Sequence, residues 1–188
     1  MATPSSLASK YGDSFYSYDC GGTYKWYLTQ YIETAREVGA IPVLVTPVSR
    51  LYYTNDGSIK PHHDSTDTTT GTLVTENNAY VEAVRQLAKE QNVLLIDGFE
   101  ITKNMYEEAY KADEKAANGK SVNGMQVMSA GDSTHSNKLG GFITAELFAQ
   151  QIQNMNISLS KAVKAPSRVA GVNPDGQQVF VVDKNGTL

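Results

Sequence analysis

Ile41-Pro42-Val43-Leu44-Val45-Thr46 is the stretch that decides the fold of this chain. It is β-branched and lacks the apolar/polar alternation of a half-exposed strand, so it reads as a parallel strand covered on both faces. Pro42 fits at the beginning of such a strand. Immediately upstream, Tyr24, Tyr27, Leu28, Tyr31, Ile32 and Ala35 recur at helical spacing, with Thr23 placed to cap the start and Gly39 to close the end. The same order then repeats. Val81, Val84, Leu87 and Ala88 predict a helix over 77–91, and Val93-Leu-Leu-Ile-Asp97 a second buried strand ending in an acid. A third helix is read over 100–117. Met125-Gln-Val-Met128 then leads into a polar loop, and a last helix covers 137–154. Helices alternating with short apolar strands predict an α/β fold with a parallel sheet.

The flanks differ from this body. Residues 1–22 are polar, rich in Gly, Ser and Tyr and without a period, and read as a loop or leader. The α/β pattern occupies 23–155. From 156 to 188, Ser, Lys, Ala and Pro166 make a linker, and Gly176-Gln-Gln-Val-Phe-Val-Val-Asp-Lys-Asn-Gly186 reads as a strand and turn: an extra edge strand or the start of a β module. Residues 49–76 form a loop longer than most connections, the kind that borders a site.

At 188 residues, 40% apolar and 19% charged, the chain is long enough for one domain with a core. Its net charge of −4 carries no basic run, so no nucleic-acid face or anionic-membrane patch is advertised. No stretch approaches the roughly 20 apolar residues of a membrane span. The single cysteine, Cys20, excludes an internal disulfide and a Cys-rich metal knuckle and reads as a partly buried thiol. Met-Ala-Thr-Pro-Ser-Ser lacks the basic end and apolar run of a secretory signal. The chain is therefore cytosolic, processed, or cut from something longer, and the last reading is preferred.

Gly131-Asp132-Ser133-Thr134-His135 carries the chemistry. A carboxylate three residues before a loop histidine can accept the Nδ1 proton, fix the tautomer and leave Nε2 to activate a hydroxyl. Two Gly-Asp-Ser tripeptides compete for the role of nucleophile. Gly12-Asp13-Ser14 lacks the apolar strand that would present Oγ at a rigid sheet edge, because Leu-Ala-Ser-Lys-Tyr precedes it. Ser14 therefore reads as a loop serine, and Ser133 as part of the Asp-x-x-His loop.

Adjacent His62 and His63, followed by Asp64, cannot both ligate one metal with good geometry. They read as a solvated loop near the cleft. Arg50 offers a fork for a substrate carboxylate or, equally, a structural salt bridge. Trp26 and the tyrosines of 11–31 offer a sugar-stacking platform, but those at helical spacing favour core packing.

From Tyr24 to about Gln153 the chain resembles the SGNH/GDSL hydrolases, in particular the rhamnogalacturonan acetylesterase-like carbohydrate esterases. The resemblance rests on Gly22-Thr-Tyr-Lys-Trp-Tyr-Leu, on Gly39-Ala-Ile-Pro-Val-Leu-Val-Thr-Pro-Val-Ser-Arg50, on Ala83-Val-Arg-Gln-Leu-Ala-Lys89 with Leu95-Ile-Asp97, and on Asp132-Ser-Thr-His135 followed by Gly140. It implies a three-layer αβα, flavodoxin-like fold with a parallel sheet, and Ser-His-Asp hydrolysis of acetyl esters on plant-cell-wall polysaccharide. His135 would be the general base and Asp132 its orienter, with no cofactor. Secretion is implied by the resemblance alone.

The family's nucleophile and oxyanion blocks precede the region that matches and have no counterpart here, so the sheet reads as missing its N-terminal strands. A missing segment, a partner subunit or the chain's own flanks would then cover the apolar edges of Val43–Val45 and Val93–Ile96. The alternative is a noncatalytic carbohydrate-binding or scaffold remnant that has lost the nucleophile.

Overall fold

The computed structural model describes residues 24–63, 65–66, 73–74, 79–121, 129–164, 168–172 and 178–183. Thr23, Cys20, Gly12-Asp13-Ser14, Asp64 and Met125–Met128 lie outside the described residues. The elements in chain order are α1 (Lys25–Glu37), β1 (Val43–Val45), β2 (Ser65–Thr66), β3 (Leu73–Val74), α2 (Ala79–Glu90), β4 (Leu94–Ile96), α3 (Gly98–Lys111), α4 (Lys138–Gln153), a 3-10 turn (Ser158–Lys161), β5 (Arg168–Val172) and β6 (Gln178–Asp183). Two compact units divide the chain: the segment up to Pro47 with Pro61–Leu95, and Val48–Lys60 with the segment from Ile96 onward.

In the first unit both helices end by the same device, and each delivers the chain into a strand. After α1, Gly39 takes φ +75°, its N–H donating to Arg36 at 3.0 Å while Ala40 N–H donates to Ala35 at 2.9 Å. After α2, Asn92 takes φ +49°, its N–H donating to Lys89 at 3.3 Å while Val93 N–H donates to Ala88 at 2.8 Å. These bonds satisfy the carbonyls a helix end leaves orphaned, and they need a residue that tolerates the left-handed region. β1 and β4, which follow the two caps, pair in parallel, giving the α/β character read from the sequence.

Ile32 of α1, Leu44 of β1 and Val84, Leu87 and Ala88 of α2 form one buried cluster, with Tyr24, Leu28, Val93 and Leu95 packed on it. β1 is not covered on both faces by the described residues. Leu44 is buried, whereas Val45 on the opposite face is 44% exposed, the alternation a pleated strand gives when one face is packed. The packing reading holds for Tyr24, whose ring meets Tyr80 edge-on at 5.0 Å. It fails for Tyr27 and Tyr31, which are exposed, because they sit on the side of α1 turned from Ile32. Lys25 takes an unexpected place: its side chain is fully buried, with Nζ donating to Glu90 Oε2 at 3.1 Å.

In the second unit α3 lies beside α4, and the antiparallel β5–β6 hairpin lies against both helices. Phe99, Ile101, Met105 and Ala109 of α3 and Ile143 and Leu147 of α4 are buried. The helix read over 100–117 starts earlier and stops sooner. Asp97 caps it, its side chain accepting from Glu100 N–H at 3.2 Å.

Past Lys111, Asp113 diverts the chain: its carboxylate accepts from Lys115 N–H at 3.0 Å and from Ser121 Oγ at 3.1 Å. A short carboxylate bonded to nearby backbone competes with helix propagation. Asn118 and Gly119, at φ +51° and +73°, then make a tight turn closed by Ala117 and Lys120, the Asn-Gly pairing that favours two-residue hairpins. Residues read as a plain linker after 156 contain the 3-10 turn and β5, the partner of the strand read at the C-terminal end.

Candidate active site

The Asp132/His135 loop is closed on itself before α4 begins. Ser129 and Ser136 bridge, Ala130 N–H donates to His135 C=O at 2.8 Å, and Gly131 N–H donates to Ser129 Oγ at 3.0 Å. Ser129 Oγ in turn donates to Asp132 C=O. Gly131 takes φ +108°, a conformation open to glycine. Asn137 then caps α4, accepting from Gly140 N–H at 2.8 Å, so loop and helix are joined without a gap.

Within this loop the Asp132 carboxylate is held by three donors. Oδ1 accepts from Thr134 N–H and His135 N–H, each at 2.7 Å, and Oδ2 lies 2.8 Å from His135 Nδ1. The backbone bond from His135, its imidazole bond and the Thr134 bond pull the carboxyl from 3.8 down to about 2. With the ionised carboxylate as acceptor, Nδ1 is the donor of this bond, which in the neutral ring leaves Nε2 as the lone-pair nitrogen. The imidazole is 74% exposed and Asp132 53%, so the ring stands in reach of a substrate.

A depressed acid contributes in full above its ordinary range and loses that contribution as pH falls through its folded value. The bonds to Asp132 are therefore expected to persist across neutral and mildly acidic pH and to be lost only between about 3.8 and about 2. Carboxyl carbon shifts followed through an acid titration check this, since an Asp132 midpoint at the ordinary 3.8 would mean that the three bonds are not made.

A strip the sequence did not mark for this role meets the loop from the other end of the unit. Leu51 N–H donates to Ser133 C=O at 2.8 Å. The Tyr52 hydroxyl is engaged by the side chains of Ser133, Arg50 and Thr134, which hold it below the usual tyrosine range. The Arg50 guanidinium lies 6.0 Å from the Tyr52 ring centroid. The strip is tied to α3 at both ends: Ser49 N–H donates to Thr102 Oγ1 at 2.8 Å, and Tyr53 OH donates to Tyr106 C=O at 2.6 Å. Burial pushes the Tyr53 hydroxyl well up and that of Tyr106 up to about 12.

Asp132 and His135 are thus brought together within one loop. Arg50, read as a carboxylate fork or salt-bridge partner, lies with Tyr52, and Ser133 contributes to the loop's anchorage. His62 and His63 have rings 4.5 Å apart, tilted by 45°. Among the described residues no group of three or more His, Cys, Asp or Glu could hold a metal ion, and no helix is long and apolar enough to cross a membrane.

No family model and no solved structure matches the chain. Two curated proteins of Bacillus subtilis (strain 168) do. Over 143 residues, 75% of this chain and 55% of the relative, it is 35% identical to the "Probable rhamnogalacturonan acetylesterase YesY". Over 146 residues, 73% of this chain and 54% of the relative, it is 31% identical to the rhamnogalacturonan acetylesterase RhgT. The chain spans about half the length of the curated relatives it matches. An α/β chain with a parallel strand pair, a closed Asp-x-x-His loop and this similarity over three-quarters of its length is related to the rhamnogalacturonan acetylesterases of the SGNH/GDSL type.

Proposed function

We propose that this chain supplies the base and its orienting acid to an ester hydrolase that removes acetyl groups from a pectic polysaccharide. One observation carries the proposal: an exposed imidazole whose Nδ1 is bound at 2.8 Å to an ionised carboxylate. The names of the two relatives support the substrate class. The attacking serine comes from outside the described residues. His135 Nε2 takes its proton as Oγ adds to the acetyl carbonyl. The imidazolium returns that proton to the departing sugar oxygen, and the base then activates water to release acetate. Asp132 stays ionised throughout and stabilises the imidazolium. Secretion accompanies a cell-wall substrate in this reading.

The test is acetate release from acetylated rhamnogalacturonan by the protein expressed from its complete reading frame. Release above the uncatalysed rate, abolished by His135→Ala, is the expected result. If no acetate appears while the polysaccharide is still bound, the esterase reading falls and the noncatalytic carbohydrate-binding one takes its place.

A further inference from the structure

The peptide unit between Ser133 and Thr134 lies inside the turn that pairs Asp132 with His135, and both of its polar ends are taken. Its C=O accepts from Leu51 N–H at 2.8 Å, and its N–H, that of Thr134, donates to Asp132 Oδ1 at 2.7 Å. A peptide unit is planar and trans, so its C=O and N–H point in opposite directions, and fixing one aims the other. A carbonyl that accepts a hydrogen bond also makes its own amide a stronger donor. The turn itself is exposed, and water competes for the bonds that shape it. Leu51 N–H is thus a donor from outside the turn that orients a bond to the carboxylate. Leu51 is in turn held by the buried face of α3. Two residues before it, Ser49 N–H donates to Thr102 Oγ1 at 2.8 Å, and two residues after it, Tyr53 OH donates to Tyr106 C=O at 2.6 Å. Thr102 and Tyr106 stand one turn apart on that helix. Thr102 is 1% exposed, and its hydroxyl proton goes to Gly98 C=O at 2.6 Å, which leaves an oxygen lone pair for Ser49.

We infer that Thr102 is a positioning residue for the acid–base pair: from inside α3 its hydroxyl anchors Ser49, and through the Leu51 N–H it sets the Ser133–Thr134 peptide that presents a donor to Asp132. Ser49-Arg50-Leu51 is too short to absorb a displacement. When Ser49 N–H loses its acceptor in a buried site it must move to find another, and Leu51 moves with it. The Asp132 carboxylate then loses its alignment with Thr134 N–H, and with it the fixed geometry that presents Oδ2 to His135 Nδ1 at 2.8 Å. A neutral imidazole free in water favours the proton on Nε2, so the tautomer ratio of His135 reports how well Asp132 is held. The catalytic consequence rests on the reading of His135 as base, whereas the positioning itself does not.

The experiment is nitrogen-15 NMR of the imidazoles in the protein expressed from its complete reading frame, with His135→Ala used to assign the His135 resonances. In the parent, the shifts of the neutral ring are expected to report mainly the Nδ1–H form. Thr102→Val keeps the shape and removes the acceptor. It is expected to move the ratio toward the Nε2–H form by roughly fivefold, the worth of one net hydrogen bond. Thr102→Ser restores the oxygen and the parental ratio. Ser121→Ala is the control for general loosening: it removes another buried hydroxyl of the same unit, bonded to Asp113 at 3.1 Å, and leaves the ratio unchanged. Tyr53→Phe frees the other anchor and is read in place of Thr102→Val if that variant does not fold. With acetylated rhamnogalacturonan, Thr102→Val lowers kcat by a similar factor and keeps KM. A folded Thr102→Val, or in its stead Tyr53→Phe, with the parental ratio overturns the inference, and so does an equal shift in Ser121→Ala. A shifted ratio together with acetate release that survives His135→Ala would leave the positioning standing and remove the esterase reading instead.

Discussion

Replacing His135 by alanine is expected to lower acetyl-ester turnover by about 10⁴-fold or more, because a serine left without its base keeps only the modest acceleration of binding and oxyanion contacts. The companion replacement, Asp132→Asn, makes the cause visible. The amide oxygen can still accept from Thr134 N–H and His135 N–H, each now 2.7 Å from Oδ1, so the loop has no reason to open. What changes is the atom facing Nδ1. An amide NH₂ there donates where the carboxylate accepted, which drives the imidazole proton to Nε2 and removes the lone pair that should meet the serine. The expected outcome is a fall in kcat of about 10⁴ with little change in KM. Steady-state kinetics on an aryl acetate and on acetylated polysaccharide read both effects, and an Asp132→Asn enzyme with near-parental kcat would show that the carboxylate is not the orienter.

The largest stability loss is expected at Gly57, in the turn that follows the strip bonded to the Asp132/His135 loop. Its φ is +89°, and a Cβ added there would lie 2.1 Å from Cδ1 and 2.7 Å from Cγ of Tyr110. Tyr110 cannot swing away freely. Its ring packs against Tyr53 at 4.9 Å, and its hydroxyl lies 3.4 Å from both Asn55 C=O and Gly119 N. Gly57→Ala therefore combines the left-handed penalty of about 1–2 kcal/mol with an overpacking cost of about 1–3 kcal/mol. A loss of about 3 kcal/mol lowers Tm by roughly 10 °C for a chain of this size. Urea melts of parent and variant check this, and a difference within about 0.5 kcal/mol, ordinary for a neutral surface change, would refute the close packing.

What was legible in the sequence was what is local. The Asp132/His135 pair could be read because all three bonds to the carboxylate close within four residues. The first two helices could be read because their apolar stripes end where Gly39 and Asn92 permit a left-handed cap. Leu51 could not be found in this way, since nothing near it announces that its N–H will meet the Ser133 carbonyl so far along the chain. The third helix, read over 100–117, has its ends set by other local signals: Asp97 with Glu100 is a capping pattern, and Asp113 bonded to the Lys115 backbone ends the helix ahead of the Asn118-Gly119 turn. β5 went unread because Arg168-Val-Ala-Gly-Val172 acquires strand character only from its partner, and its glycine sits at the register shift where the ladder bends.

The amine of Lys25 is sealed from solvent, clasped by Glu90 Oε2 at 3.1 Å and facing Gln86 Oε1 at 3.5 Å. An acylating reagent added to the native protein meets the surface lysines at once but reaches this one only when α1 lifts from α2. Its labelling rate is thus a clock for the breathing of the first unit, read by mass spectrometry of a single peptide. Slow modification of Lys25 against rapid modification of Lys111, which is 64% exposed, would measure how seldom that pair of helices parts.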